Sequence, residues 1–469
     1  MPELLDTKGG PEDRDAVAAG LKTLAEWAVG VTADDIPDPV KASAALVLFD
    51  DIGAMVAARN EPELARLQDQ CLERSAAAEA TVFRGGRPRS DRHTAAMANG
   101  AASNWCELDE GYRVTSCHAG IYVLPALLAE AEATGMAAGE AIRALVVAYE
   151  TVTRFARTFP TITQTFHPHA AYSAVGAAAA IGLARGLSAE AYRAALSNAV
   201  TMVAPGPSGH TGAGALVRNV WPATGAANGF RAVDWAGCGI TGLGGSPYDV
   251  YAVGLGADCK PEEMTRDLPG LWAITQNFRK LHACCQFLHS TVEAMLDIKA
   301  QCGGAIPAED IAGIAIATHP RAQQLAGTRP PTTLGAKFSV PHAAASVAVL
   351  GHAGAEAFSA ESLEDPRIDA IRQKVEIRSF ENIPEWPNDR PSRIRMTLAD
   401  GATYEAECMS ARGGPDRPFE RDEILAKIDG ICDPVYPALG ATARRAVALE
   451  AALLDTPWDQ VVAAFTKSH

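Results

Sequence analysis

The feature that most constrains this chain is a change of hydrophobic period near residue 277. From about Asp15 to Arg266 the sequence is rich in alanine and repeats its apolar residues at three and four, as at Leu127, Leu128, Ala131, Ile142, Leu145, Val146 and Tyr149. That spacing gathers apolar side chains on one face of a helix, and small alanines let such helices approach closely. The first half therefore predicts helix packed on helix. Gly135 and Gly139 are expected to interrupt one such stretch, and Ser188 to cap a helix over 189–202. Beyond about Asn277 alternation takes over at 311–318 and 374–379, and 393–398 meets 403–408 across Asp400-Gly401 as a hairpin. Helical spacing persists inside this region, at 290–299 and 342–350, which predicts an α+β unit rather than a pure sheet. The stretch 444–454 is helical again and is expected to complete the first domain.

At 469 residues the chain exceeds the roughly 250 to 300 residues at which a single core stops growing, so two domains are expected. Its 41 Lys plus Arg against 56 Asp plus Glu give a formal charge of −15, which repels nucleic acid and anionic membrane surfaces. Neither is expected as a partner, and any site for an anion must gather its own cations. The ten cysteines are scattered without a C-x-x-C pair, the pattern of reduced, buried thiols. Residues 1–15 are polar and acidic, with no apolar stretch of a targeting peptide, and no run approaches the roughly 20 apolar residues of a membrane span. A cytoplasmic address is expected.

Several motif-like features carry no chemistry. The glycines at 212, 214 and 242–245 do not lie between a strand and a helix start, so no dinucleotide fingerprint is present. The run 206–210 lacks the spacing of a nucleophile elbow and is better read as a mobile glycine loop. His282, Cys284, Cys285 and His289 have the side chains of metal ligands but not the spacing of a common site, so no metal is expected.

Four segments combine acids, bases and glycine or aromatic neighbours in a way a helical core does not need. In the first, Glu107, Asp109, Glu110, Tyr112 and Arg113 lead to His118, at or near the start of an apolar helix. A helix N-terminus favours an anion and depresses the basicity of a nearby imidazole. His118 is therefore a candidate base, against the plainer reading that Asp109 and His118 only satisfy turns. The second, 164–169, again sets imidazoles, His167 and His169, where a small-residue helix begins. The third places Arg218 after the glycine loop, from which it could close onto a carboxylate or else stay solvated. The fourth, 278–289, holds Lys280, His282 and His289 at the junction of the two domains, a favoured place for a cleft. A desolvated Lys280 would lose basicity and serve as anion clamp or as general acid or base.

Taken in order, these segments, together with Asn99-Gly100, Ala148-Tyr149-Glu150, Phe166-His167-Pro168 and 336–342, resemble the MmgE/PrpD superfamily over nearly the whole chain. The family includes 2-methylcitrate dehydratase, cis-aconitate decarboxylase and iminodisuccinate epimerase. The resemblance implies a mainly α fold: a large helical domain, 1–275, an inserted α+β lid, 276–405, and C-terminal helices, 406–469, returning to the first part. It implies a homodimer, no metal or organic cofactor, and a small polycarboxylate substrate. Asp109, His118, His167 and Lys280 would be catalytic, with Arg113, Tyr112, Arg218, His282 and His342 binding substrate. The chain departs from the family at Gly111, where a threonine is common, at Arg218 for lysine and at His342 for tyrosine. These differences imply another substrate or outcome and leave open which of Glu107, Asp109 and Glu110 is functional. The implied reaction is dehydration of a 2-methylcitrate-like hydroxy acid; epimerisation of an amino- or imino-dicarboxylate, decarboxylation of the cis-aconitate type, and a silent metabolite-binding homologue are the alternatives.

Overall fold

The alanine-rich half folds as the period requires. The computed structural model describes residues 10–162, 165–268, 270, 272–303 and 307–467, and is mainly α with a smaller α+β part. The helix Pro168–Ala184 is buried along nearly its whole length and packs against Ala119–Thr134, Ala138–Thr158 and Trp221–Gly237. Such all-round burial marks core helices, unlike the one-sided stripe of a surface helix. Ser188 caps Ala189–Val200 by accepting from the Ala191 amide at 3.3 Å, so that helix ends two residues before the predicted boundary. Gly135, at φ 67°, closes Ala119–Thr134 in the left-handed conformation, whereas Gly139 lies inside Ala138–Thr158 instead of breaking it.

The alternating segments form a four-stranded sheet. Ile311–Thr318 pairs in parallel with Val375–Ser379 and antiparallel with Ser392–Leu398, which forms the hairpin with Thr403–Cys408. Ile314, Ile316, Ile394 and Met396 are buried, and the helix His289–Gln301 covers the hairpin. The predicted C-terminal helix is two helices, Leu439–Val447 and Ala451–Leu454, divided at Leu449 with φ 56°. Arg421–Cys432 and Leu439–Val447 pack on Asp38–Ala57, and Lys427 reaches Asp50 at 2.7 Å and the Leu108 carbonyl at 2.8 Å. The C-terminal segment thus braces the acidic segment that begins at Glu107. Among the described residues, no helix is long and apolar enough to cross a membrane.

Candidate active site

The acidic segment is bent into place by its backbone. Glu107 has φ 52°, an uncommon conformation for a non-glycine residue. Gly111 and Tyr112 then pair antiparallel with Phe278 and Asn277, a two-residue ladder that carries Lys280 to the acids. A Cβ on Gly111 would lie 2.4 Å from the Phe278 ring, so the departure at this position is a steric requirement of that pairing. The Phe278 ring in turn stands 6.0 Å from the His118 ring and 6.0 Å from the Lys280 ammonium.

Two acids and two cations meet here in a buried cluster. Lys280 Nζ donates to Glu107 Oε2 at 3.1 Å and lies 3.7 Å from Asp109 Oδ1; Arg218 Nη1 lies 2.6 Å from Glu107 Oε1 and donates to Asn104 Oδ1 at 2.7 Å. All four charged side chains are buried. Burial alone would raise the Glu107 carboxyl, yet Arg218 and Lys280 hold it below its usual range; for Asp109, Lys280 and His118 likewise outweigh burial. Burial would also lower Lys280, but Asp109 and Glu107 raise it instead. This overturns the expectation that desolvation makes Lys280 a proton carrier. Buried beside two carboxylates it is a fixed cation.

Hydrogen bonds set the tautomers of the imidazoles. His118 Nδ1 lies 2.6 Å from Asp109 Oδ2, and because Asp109 is held ionised the proton of that bond sits on Nδ1, so it is Nε2 that carries the lone pair whenever the ring is neutral. His167 is the N-cap of Pro168–Ala184, and its Nδ1 accepts the His169 amide at 3.2 Å. A neutral ring accepting at Nδ1 carries its proton on Nε2. Burial first, then Arg218, pushes the His167 pKa well below the ordinary value, so this ring is neutral. Arg218 Nε–H also points at His167 Nε2, from 3.5 Å, a longer approach than the Nδ1 bond that sets the tautomer. His169 lies between the two, with ring centroids 4.9 Å from His118 and 4.4 Å from His167. Its Nδ1 is 2.8 Å from the Tyr122 hydroxyl.

Glu110 turns away from this group into a second buried layer. Its Oε1 accepts the Gly120 amide at 2.8 Å and its Oε2 the Tyr149 hydroxyl at 2.7 Å, while its own amide approaches Asp51 Oδ1 at 3.4 Å. A Cβ on Gly120 would fall 2.2 Å from Asp51 Oδ2 and 2.7 Å from Glu110 Oε1, so glycine there is what lets both carboxyls underlie the helix start. Burial raises the Glu110 carboxyl to about 7 and Asp51 well above its usual range. Of the three acids left open by the sequence, Glu107 and Asp109 face Lys280 and His118, and Glu110 does not.

The structure therefore brings Asp109, His118, His167, Arg218 and Lys280 together. Arg218 is not free to close onto a ligand, being already engaged by Glu107 and Asn104. Tyr112 points elsewhere: its hydroxyl is 3.4 Å from Gln276 and burial raises its pKa to about 12. Arg113 is tied to Asp389. His282 packs on His289 at 5.2 Å and lines a separate cavity of about 470 Å³ with Glu293, Ser410 and Arg412, where burial lowers it to about 4. His342 is a core histidine of the α+β part: its Nε2 donates to the Ala357 carbonyl at 2.9 Å and Arg372 approaches Nδ1 at 3.3 Å. Being the third residue of the helix Val340–Leu350, it faces inward by position. Gln164, at the head of the second segment, lies outside the described residues. Asn104 and Tyr122 gave no chemical signal in the sequence; an i, i+4 count from His118 places Tyr122 on the His118 side of its helix and was the available clue.

Comparison with known proteins finds relatives over most of the chain. The MmgE/PrpD N-terminal domain matches residues 22–252, and the MmgE/PrpD C-terminal domain matches residues 282–453. Cis-aconitate decarboxylase of Aspergillus terreus is 23% identical over 442 residues, covering 88% of this chain and 89% of the relative. The cis-aconitate decarboxylase-like protein oryM of Aspergillus oryzae is 25% identical over 435 residues, covering 86% and 88%. With both family domains matched in order across most of its length, the chain belongs to the MmgE/PrpD family.

Proposed function

We propose that this protein is a cofactor-independent lyase acting on a small di- or tricarboxylate, with His118 as the residue that takes up and returns the proton. The Asp109–His118 pair at 2.6 Å, set beside the fixed Lys280 cation, is the observation that carries the reading. A carboxylate bonded to Nδ1 orients the imidazole, fixes its tautomer and stabilises the imidazolium that forms when Nε2 accepts a proton. A hydrogen next to a carboxylate is weakly acidic, and its removal builds negative charge that a buried cation stabilises strongly. Lys280 is the group suited to that task. His118, at 16% side-chain exposure, is the most open member of the Asp109–His118–Lys280 group, so substrate enters past its ring.

The relatives' names point to loss of carbon dioxide, and dehydration of a 2-methylcitrate-like acid uses the same groups. Epimerisation is the second reading, favoured by one specific observation: His118 offers a lone pair and His167 an N–H, the complementary states that removal and return of a proton on opposite faces require. Incubating the purified protein in deuterated buffer with cis-aconitate, 2-methylcitrate and iminodisuccinate separates these outcomes by mass and NMR. Decarboxylation gives a product one carbon dioxide lighter carrying one deuteron, and dehydration gives an alkene. Epimerisation gives deuterium uptake with the skeleton intact. Polycarboxylate binding without any product would refute the lyase reading in favour of a non-catalytic binder.

A further inference from the structure

The cations of this site are already committed. Lys280 faces Glu107 and Asp109, Arg218 faces Glu107, and Arg113 faces Asp389, so each of these three cations already has a carboxylate partner. A polycarboxylate here is served by neutral N–H donors as well, as anions are at helix N-termini.

His169 carries such a group. Its side chain is completely buried between His118 and His167, and its Nε2 has no hydrogen-bond partner. A buried polar atom without a partner is destabilising and calls for an explanation. Its other nitrogen explains its protonation. Among the described residues His169 Nδ1, at 2.8 Å, is the acceptor that the Tyr122 hydroxyl reaches, so the hydroxyl proton is directed onto it. With Nδ1 accepting, the ring proton is on Nε2. Burial, with Arg218 next, keeps the ring neutral.

We infer that His169 Nε2–H is a substrate-binding donor of this site, a neutral imidazole held in its donating tautomer by Tyr122 and bonding a substrate carboxylate oxygen between His118 and His167. This rests on the reading of the site as one for small polycarboxylates. It adds no proton transfer: the donor keeps its hydrogen throughout, and its bond strengthens as charge gathers on the oxygen it faces.

The test pairs spectroscopy with binding of propane-1,2,3-tricarboxylate, a non-reacting tricarboxylate. In protein labelled with ¹⁵N-histidine, His169, assigned by its loss in His169→Gln, is expected as the Nε2–H tautomer, with its proton moving downfield on titration. By calorimetry, His169→Leu, which keeps apolar volume but removes the donor, is expected to bind roughly 10- to 100-fold more weakly. His169→Gln, whose amide places an N–H near the same point, recovers most of that loss. An Nδ1–H tautomer, an unmoved His169 signal while the signals of His118 and His167 shift, or equal binding by the Leu variant each overturns the assignment and leaves the acid–base reading standing. If the tricarboxylate neither binds nor perturbs any histidine, the polycarboxylate reading falls, and the assignment with it.

Discussion

His118 and His167 each stand at the N-cap of a helix that enters the candidate site, and the two starts are bonded in opposite ways. His167 spends its Nδ1 on the first turn of its own helix, accepting the His169 amide. His118 makes no side-chain cap. Its helix is served from outside by Glu110, which accepts the Gly120 amide, and this frees His118 Nδ1 for Asp109. The same position in the same kind of element therefore yields a lone pair on Nε2 in one case and an N–H in the other. The tautomer follows from what the far nitrogen meets, and the far nitrogen's partner is decided by which other group has already satisfied the helix end.

The comparison can be broken most decisively at Asp109. Asp109→Asn lets the His118 ring present Nδ1 as acceptor and Nε2 as donor, and turnover of whichever substrate the product screen identifies is expected to fall about 10³- to 10⁴-fold, as loss of the orienting carboxylate does in other histidine-based sites. Activity within tenfold of the parent protein would mean that His118 does not depend on Asp109 for its role.

A smaller effect tests the substitute cap. The folded-state pKa of Glu110 is raised from 4.5 to about 7, so the folded state holds this proton more tightly than the unfolded chain. The resulting stabilisation is full below about 4.5 and is lost as pH rises through about 7. Between pH 5 and pH 8 the parent protein is expected to lose about 2 kcal/mol more stability than Glu110→Gln, read from urea unfolding at the two values. Parallel pH profiles would show that Glu110 is not the titrating group of that layer.

The smallest effect distinguishes capping from chemistry at His167. His167→Ala removes the cap and is expected to cost about 1 kcal/mol in urea unfolding, whereas His167→Asn, a good N-cap residue, keeps stability within a few tenths of that of the parent protein. Both lose the Nε2–H and are expected to lose comparable turnover. If the asparagine variant is fully active, His167 is only a cap.

Much of the architecture was legible because periodicity is local. The alanine-rich helices, the 393–398 and 403–408 hairpin and the Ser188 cap each follow from residues within a few positions of one another. The candidate residues Asp109, His118, His167 and Lys280 were also legible, since charged groups running into apolar helix starts conflict with a plain core. The errors came from long-range partners. Lys280 is a fixed cation because Glu107 and Asp109 stand beside it, residues more than 170 positions away. His342 is a core residue because Ala357 and Arg372 surround it, and Arg218 is committed because a left-handed turn at Glu107 aims a carboxylate at it.

By itself, the sequence determined where helices and strands form and which segments carry acids and bases, because both are properties of neighbouring residues. Only the tertiary structure decided which acid faces which cation, which ring nitrogen holds a proton and which histidines are mere packing. Those outcomes depend on burial and on partners brought together by the two-residue pairing of 111–112 with 277–278, and the energy of a buried charge or hydrogen bond is set by its surroundings far more than by its position along the chain.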